Sequence, residues 1–356
     1  MNSKPTIRDV ARAAGVSTKT VSRVTNGDDY VAAETAERVR RSIAELGYRA
    51  NPLARSLRKG QDEAVAIIVE SISDVFFAFM VDAVEKVARD AGLFLIVASA
   101  GRTADEERAV VNGLLNRSIR GLMIVPSHLE YGDEHFPIGL GGVPVVFVDR
   151  PPHGLAADAV TIDNEATARH AAEHLIAHGH RRIAFVGTDL DETPVNLRLV
   201  GYRHALTEHG LAYDPELVSC HRHWMSAEEP LLAGAMALSE PPTAVLSGNT
   251  VSSVAVVREL HLTKRTDVAV VSFDDFPMAD ALEPAITVAR QDPALMGRRA
   301  FELLLERIEG KRSRPRKIVL PTTFIERGSG EIRPPVNAGP RHRRPRAAAR
   351  SKWSLS

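Results

Sequence analysis

The sequence predicts two architectures in one chain: a small all-α helix-turn-helix unit, then a larger α/β body of two lobes, each a doubly wound parallel sheet. Three observations carry this. Residues 6–47 show helical apolar spacing interrupted at Gly15; from Ala64 onward, short unbroken apolar runs alternate with helical stretches; and charge is segregated along the chain. The 356 residues include 45 Lys and Arg against 45 Asp and Glu. Residues 1–60 carry 12 basic and 6 acidic side chains (+6), and residues 337–356 carry 6 basic and no acidic ones (+6). Residues 61–336 hold the remaining 27 basic and 39 acidic side chains (−12). Basic ends on an acidic body point to a polyanion as the partner of the ends and not of the body.

In the first unit, Ile7, Val10, Ala11 and Ala14 share a helical face; Thr6 with Asp9 forms a capping-box-like start, and Gly15 suits a left-handed stop. Ser17 can cap a second helix, Thr18 to about Thr25, with Val21 and Val24 inward. A third helix places Ala36, Val39, Ile43 and Leu46 on one face and stops at Gly47. In a helix-turn-helix the second helix enters the DNA major groove with its N-terminus first. Its non-core positions are Ser17, Thr18, Lys19, Ser22 and Arg23, and Lys19 and Arg23 stand four apart on one face. Lysine and arginine donate to guanine O6 and N7, and threonine can touch a thymine methyl or donate to phosphate. By spacing alone, a solvated helical face remains an equal alternative.

Asn51 and Pro52 begin a segment of about eight residues before Gly60, too short for a helix that persists alone in water. It is expected to be helical only when something pairs it, unless it is a plain linker. The Arg-, Pro- and Ala-rich end, PRHRRPRAAARSKWSLS, has little to bury and is expected to be disordered, either adding nonspecific DNA attraction or simply being solvated.

The body supplies AVAIIV (64–69), LFLIVA (93–98), GLMIV (121–125), PVVFV (144–148), RIAFVG (182–187), TAVL (243–246) and DVAVVSF (267–273). With about ten strands in all, two sheets covered on both faces are expected. Ligands in such folds sit beyond the C-terminal strand ends. Asp74, Phe76 and Phe77 follow the first strand; Asp149 and Arg150, then Asn249, then Asp274 and Asp275 follow later ones. Carboxylates, an amide and an arginine around aromatic rings suit a polyhydroxylated ligand such as a sugar. Taken singly, each Asp or Asn is also a helix cap.

Other chemistry finds little support. His170, His174, His178 and His180 could seat metal ligands on one helix face, but no Cys or acid completes the set, so an exposed helix side is expected. Cys220-His221-Arg222-His223 reads as a strand end. GLGG (139–142) precedes its strand, whereas a dinucleotide loop follows one. There is no GxxxxGK[ST] loop and no G-x-S-x-G elbow. No cofactor, metal or catalytic residue is expected. One cysteine, no apolar run near the start and no stretch of roughly 18 apolar residues lead to the expectation of a cytoplasmic protein without a membrane anchor.

TIRDVARAAGVSTKTVSRVTNG, followed by RVRRSIAELGYRANPLARSL, resembles the DNA-binding region of the lac repressor (LacI/GalR) family without a gap over residues 6–58. The resemblance implies that Thr18, Lys19 and Arg23 read the major groove while Ser17, Thr20 and Asn26 help hold the backbone. It adds Thr6, Ser22, Asn51 and Ala54 to the DNA-facing set and makes Leu57 a wedge in the minor groove, where two hinge helices pair. Further on, DVAVVSFDD, LEPAITVARQD and PALMGRRAFELLLERI resemble the family through about Arg327. They imply a periplasmic-binding-protein-like core with ligand contacts at Asp149, Arg198, Asn249 and Asp274, and rings of Phe76, Phe77 and Trp224 stacking on the ligand. Departures are Ala32 for a capping serine, Ala50 for proline, DVFF for NPFF, Thr250 for an acid and Ser272 for glycine.

The implied organisation is a DNA-binding domain (1–50), a hinge helix (51–60), a core (61–333) and a basic tail (334–356). Lobe 1 takes about 61–163 and 292–320, lobe 2 about 164–290 and 321–333, with crossovers near 163, 290 and 321. The partners implied are a palindromic double-stranded DNA operator, a second copy of the chain and a small-molecule effector. The expected function is a repressor of sugar-utilisation genes. A purine, nucleoside or phosphorylated corepressor is the alternative effector, and an enzyme with a DNA-binding appendage the more distant rival.

Overall fold

The computed structural model describes residues 5–25, 30–48, 64–101, 103–127, 142–152, 154–190, 193–220 and 230–335. The hinge segment, residues 336–356 of the basic tail, Asn26, Asn51, Ala54, Leu57 and Trp224 lie outside the described residues. The chain divides into two compact units, Met1–Glu63 and Ala64–Ser356.

The first unit holds α1 (Ile7–Ala14), α2 (Thr18–Thr25) and α3 (Ala33–Leu46). At the start of α1 the Asp9 carboxylate accepts from the Thr6 amide at 2.9 Å and the Thr6 hydroxyl at 2.6 Å. Gly15 ends it with φ +64°, a left-handed conformation that costs glycine least. Ser17 accepts from the Thr20 amide at 3.1 Å and so caps α2. Helix α3 starts at Ala32 without a side-chain cap. Val10, Val21 and Val39 are fully buried, with Ile7, Val16, Val24, Ile43 and Tyr48 packed around them. Leu46, read as part of the inner face, is instead 38% exposed, because the last turn of α3 extends past this small core.

The second unit contains two six-stranded sheets. The first runs β11-β5-β4-β3-β1-β2, comprising β1 (Ala64–Val69), β2 (Phe94–Ser99), β3 (Gly121–Ile124), β4 (Val145–Asp149), β5 (Asp158–Ile162) and β11 (Lys317–Leu320), all parallel. The second runs β12-β10-β9-β8-β6-β7, comprising β6 (Ile183–Gly187), β7 (Val218–Cys220), β8 (Ala244–Ser247), β9 (Ala269–Phe273), β10 (Thr287–Arg290) and β12 (Thr323–Ile325). Only β12 pairs antiparallel.

Helices cover both faces, which is why the strands read as unbroken apolar runs. In the first sheet, Val65 and Ile67 face Met80 and Val84 of α4 (Val75–Asp90) and Phe301 and Leu304 of α10 (Pro293–Ile308). Ala66 and Ile68 point the other way, to Val111 and Leu114 of α5 (Ala104–Leu115). In the second sheet, Phe185, Leu246 and Val271 face α6 (Asn164–Ala177) and α7 (Thr193–Glu208), while Val186, Val245 and Val270 face α9 (Thr250–Leu262). Short α8 (Ala233–Met236) lies between β7 and β8 in the chain. Helix α7 crosses α6 so closely at Gly201 that an added Cβ would collide with the Glu165 carbonyl oxygen. Among the described residues no helix is long and apolar enough to cross a membrane.

Seven of the twelve strands are the seven apolar runs of the sequence. The other five, β5, β7, β10, β11 and β12, are three to five residues long and carry polar or charged side chains, as in DAVTI, TVAR and KIVL. Four of these five lie where the chain passes between sheets. It leaves β5 at Ile162 for α6, returns from β10 to α10 through Gln291 and Asp292, and passes from β11 to β12 through Pro321 and Thr322.

The histidine reading needs correction. His170 is exposed, but His174 has a side chain only 8% exposed and His180 is fully buried. The segment after β12 covers this face: His174 Nε2 donates to Glu331 at 2.7 Å, and His180 Nε2 to the Ile332 carbonyl at 2.7 Å, its Nδ1 accepting from the Thr243 hydroxyl at 2.8 Å. Burial pushes His180 below the usual histidine pKa. Among the described residues no cluster of three or more His, Cys, Asp or Glu is arranged to hold a metal ion.

Candidate functional site

Two places in the described structure combine exposed or buried polar groups in a way the core does not require. The first is the N-terminal half of α2. Ser17, Thr18, Lys19 and Arg23 are exposed, Thr20 and Ser22 half-buried, and Val21 fixes the opposite face into the core. Ser17 and Thr20 also join hydroxyl to hydroxyl at 2.9 Å, which sets the first turn. Thr6 is exposed, its hydroxyl held by Asp9.

The second place is built from strand ends of both sheets. Asp74 follows β1 and caps α4, accepting from the Phe76 amide at 2.9 Å. Asp149 ends β4, and its carboxylate accepts from Arg150 Nε at 3.2 Å; Arg150 Nη2 reaches Glu70 at 3.0 Å. From the second sheet, Asn249 caps α9 through the Ser252 amide at 2.9 Å and donates to the Thr188 hydroxyl at 2.7 Å. Asp274 directly follows β9. Arg198, from α7, is 3% exposed; its Nε donates to Asn164 Oδ1 at 2.8 Å and its Nη1 to the Gly248 carbonyl at 2.7 Å. Its guanidinium lies 3.6 Å over the Phe273 ring, and Nη1 stands 4.0 Å from Asp274.

The carboxylates of the two sheets feel one another. Burial pushes Asp274 up to about 7, with Asp149 and Asp74 adding to the rise and Arg198 and the Gln291 amide opposing it. Burial likewise raises Asp74 to about 6, helped by Glu70 and Asp149 and opposed by the Phe76 amide and Arg198. Three buried oxygens here have no hydrogen-bond partner: Asp274 Oδ1, Gln291 Oε1 and Thr250 Oγ1. A buried acceptor left unmade costs about 1–3 kcal/mol.

Asp74, Asp149, Arg198, Asn249 and Asp274 therefore meet, although they are spread over 201 positions of sequence. Phe76 and Phe77 come to the same strand end, but both rings are buried in the core, edge to face at 5.2 Å. They are no more enclosed than Asp149 and Arg198 of the same site. Asp275 points away, bound through both oxygens by Arg327 at 2.8 and 2.7 Å. Asn164, Thr188 and Gln291 were not read from the sequence, and Thr250 was read there only as a departure from the family pattern. Their signal was present only as position, each lying within three residues after a strand. A cavity of about 590 Å³ beside the crossings, lined by Thr167, His170, Ala289, Thr322 and Phe324 among others, contains none of the converging acids. The site follows the charged groups and not the void, since here the lobes exclude most solvent from the charges.

The whole arrangement has known relatives. Residues 6–51 match the bacterial regulatory proteins of the lacI family, and residues 172–330 the periplasmic binding protein-like domain. The HTH-type transcriptional regulator CelR of Thermobifida fusca is 34% identical over 340 residues, 92% of this chain and 98% of that protein. The structure of the transcriptional regulator CelR–cellobiose complex shares 33% identity and a TM-score of 0.67, covering 91% of this chain and 99% of that one. The lac repressor dimer bound to operator and the anti-inducer ONPF shares 25% identity and a TM-score of 0.75, covering 92% and 99%. A matching reader unit, a matching two-sheet body and one relative similar along nearly the full length lead to one conclusion: the chain belongs to the lacI family of bacterial regulatory proteins and is a DNA-binding transcriptional regulator.

Proposed function

We propose that the chain is a cytoplasmic homodimeric repressor of sugar-utilisation genes whose grip on a palindromic operator is set by a sugar in the cleft between the two sheets. The observation that carries this reading is the meeting of Asp149, Arg198 and Asp274, all nearly excluded from solvent, with three unpartnered oxygens, one of them on Asp274 itself. Sugar hydroxyls supply the missing donors and also accept from Arg198 and Asn249. Relatives support the class: one similar structure holds cellobiose, and one similar sequence is the ribose operon repressor of Escherichia coli, 30% identical over 332 residues.

Lys19 and Arg23 then read base edges from the exposed face of α2, with Thr18 beside them, and Ser17 and Thr20 hold the backbone. Asn26, Asn51, Ala54 and Leu57 would complete the contact with DNA, and Trp224 that with the sugar. A two-fold dimer matches a palindromic site because each half-site meets one reader. Effector and operator are linked through one equilibrium: if a sugar weakens operator binding by some factor, the operator weakens sugar binding by the same factor.

The test combines two titrations of the full chain. Sugars are first screened for a rise in melting temperature, because a ligand of the native state stabilises it. The sugars that bind are then added to the protein on symmetrical DNA sites selected from a random pool. A shift in operator affinity by one of them supports the proposal. Selective DNA binding that no bound sugar alters removes the effector role, and turnover of a sugar would favour an enzyme.

A further inference from the structure

The effector cleft carries an excess of negative charge that its own architecture does not neutralise. Among the described residues at the cleft, Glu70, Asp74, Asp149 and Asp274 stand against Arg150 and Arg198. Both cations are already engaged. Arg150 bonds Asp149 and Glu70, while Arg198 bonds Asn164 and the Gly248 carbonyl and stacks on Phe273.

A helix N-terminus is a ready place for an anion, since its first amides lack partners. At α4 that place is taken by the chain itself: Asp74 sets its carboxylate against the Phe76 amide. The same carboxylate interacts with Asp149 on its own sheet and with Asp274 and Arg198 on the other. Asp274, 5% exposed, has Oδ1 without a partner, and Gln291, 3% exposed, has Oε1 without one. Once Asp274 is ionised, both atoms only accept. A carboxylate or phosphate on a ligand brings further acceptors and a like charge, whereas hydroxyls bring donors.

We infer that Asp74 is a specificity-determining residue that makes this cleft reject anionic sugars, so that the effector is a neutral sugar and not its aldonate or phosphate ester. The inference rests on the sugar-effector reading above and narrows it. At pH 8 Asp74 is a negative charge that Asp274 of the other sheet feels, and neutral hydroxyl groups pass where an acid is repelled. The raised carboxyl pKa values give the filter a direction with pH: as pH falls below about 7 and then about 6, Asp274 and Asp74 take up protons and the repulsion fades.

The experiment measures the affinity of the full chain, by calorimetry, for glucose, ribose and cellobiose, each beside its aldonate and its phosphate ester. The wild-type protein is expected to prefer a neutral sugar at least about tenfold over its acidic partners at pH 8. Asp74→Asn, whose side-chain oxygen can still cap α4, is expected to lower that preference at least about tenfold. Should the variant fail to fold, the wild type carries the test alone: its preference for neutral sugar over aldonate must narrow between pH 8 and pH 5. Equal or tighter binding of an acidic sugar at pH 8, or a preference indifferent to both Asp74→Asn and pH, overturns the filter while leaving the sugar reading intact. No binding of any sugar, neutral or acidic, overturns that reading and the filter with it.

Discussion

Asp149 and Asp274 occupy equivalent places in the two sheets. Each lies at the end of the third strand counted from the crossover edge, β4 in the first sheet and β9 in the second, and each has a left-handed backbone, with φ +69° and +70°. That conformation costs an ordinary residue about 1–2 kcal/mol, and Asp is among the few that tolerate it. Both carboxyls thereby enter the same gap, near enough for Asp149 to raise the pKa of Asp274. The cleft is a site that the fold accommodates at a cost to itself.

Asp274→Asn should make the body more stable at neutral and alkaline pH. Asp274 has a folded pKa of about 7 against an ordinary value of 3.8, so the folded state binds the proton more tightly. Stability contributed by the protonated acid is fully present below about pH 4 and is lost as pH rises through about 7. Asparagine never charges, so the variant should melt higher at pH 8 by an amount equivalent to about 1–3 kcal/mol, with little change at pH 4. Thermal melts at the two pH values check it; equal effects at both would mean that the carboxyl is not held near neutrality.

Arg198→Ala should abolish the effector response while sparing operator affinity without effector. It removes donors from Asn164 and the Gly248 carbonyl and leaves Asp274 without its nearest cation, costing about 3 kcal/mol or more. Arg198→Lys should not restore the response, because a lysine ammonium lacks the flat fork that bonds and stacks at once. DNA titrations with and without sugar measure this; a variant that still responds would put the site elsewhere.

Lys19→Ala should relax base preference at one position of each half-site, by about 1–3 kcal/mol, because Lys19 stands exposed on the face of α2 proposed to meet base edges. Site selection from a random pool is the measurement. Uniform weakening across sequences would reassign Lys19 to phosphate contact.

Gly201→Ala should destabilise the second unit by about 1–3 kcal/mol, since the new methyl meets the Glu165 carbonyl where α7 crosses α6. Urea denaturation followed by circular dichroism gives the value. No loss would show that the two helices part more easily than their packing suggests.

Local chemistry was legible in the sequence where a signal and its structural consequence lie within a few residues. The Thr6–Asp9 start, the Gly15 stop, the Ser17 cap and the seven apolar runs all have this character. Strands β10 and β11 escaped because TVAR and KIVL are short and edged with charge, and nothing local distinguishes them from loop. The histidines were misread for a related cause. The residues that cover His174 and His180, Glu331 and Ile332, come from more than 150 positions away.

The amino-acid order by itself determined where helices begin and end, which runs must be covered on both faces, and which unit is basic. Each of these follows from neighbour interactions and periodicity. Only the tertiary structure decided that Asp74, Asp149, Arg198 and Asp274 share one cleft, that Gln291 and Thr250 join them, and that Phe76 and Phe77 turn into the core. Burial and the approach of distant charges set those outcomes, and both arise only when the two sheets come together.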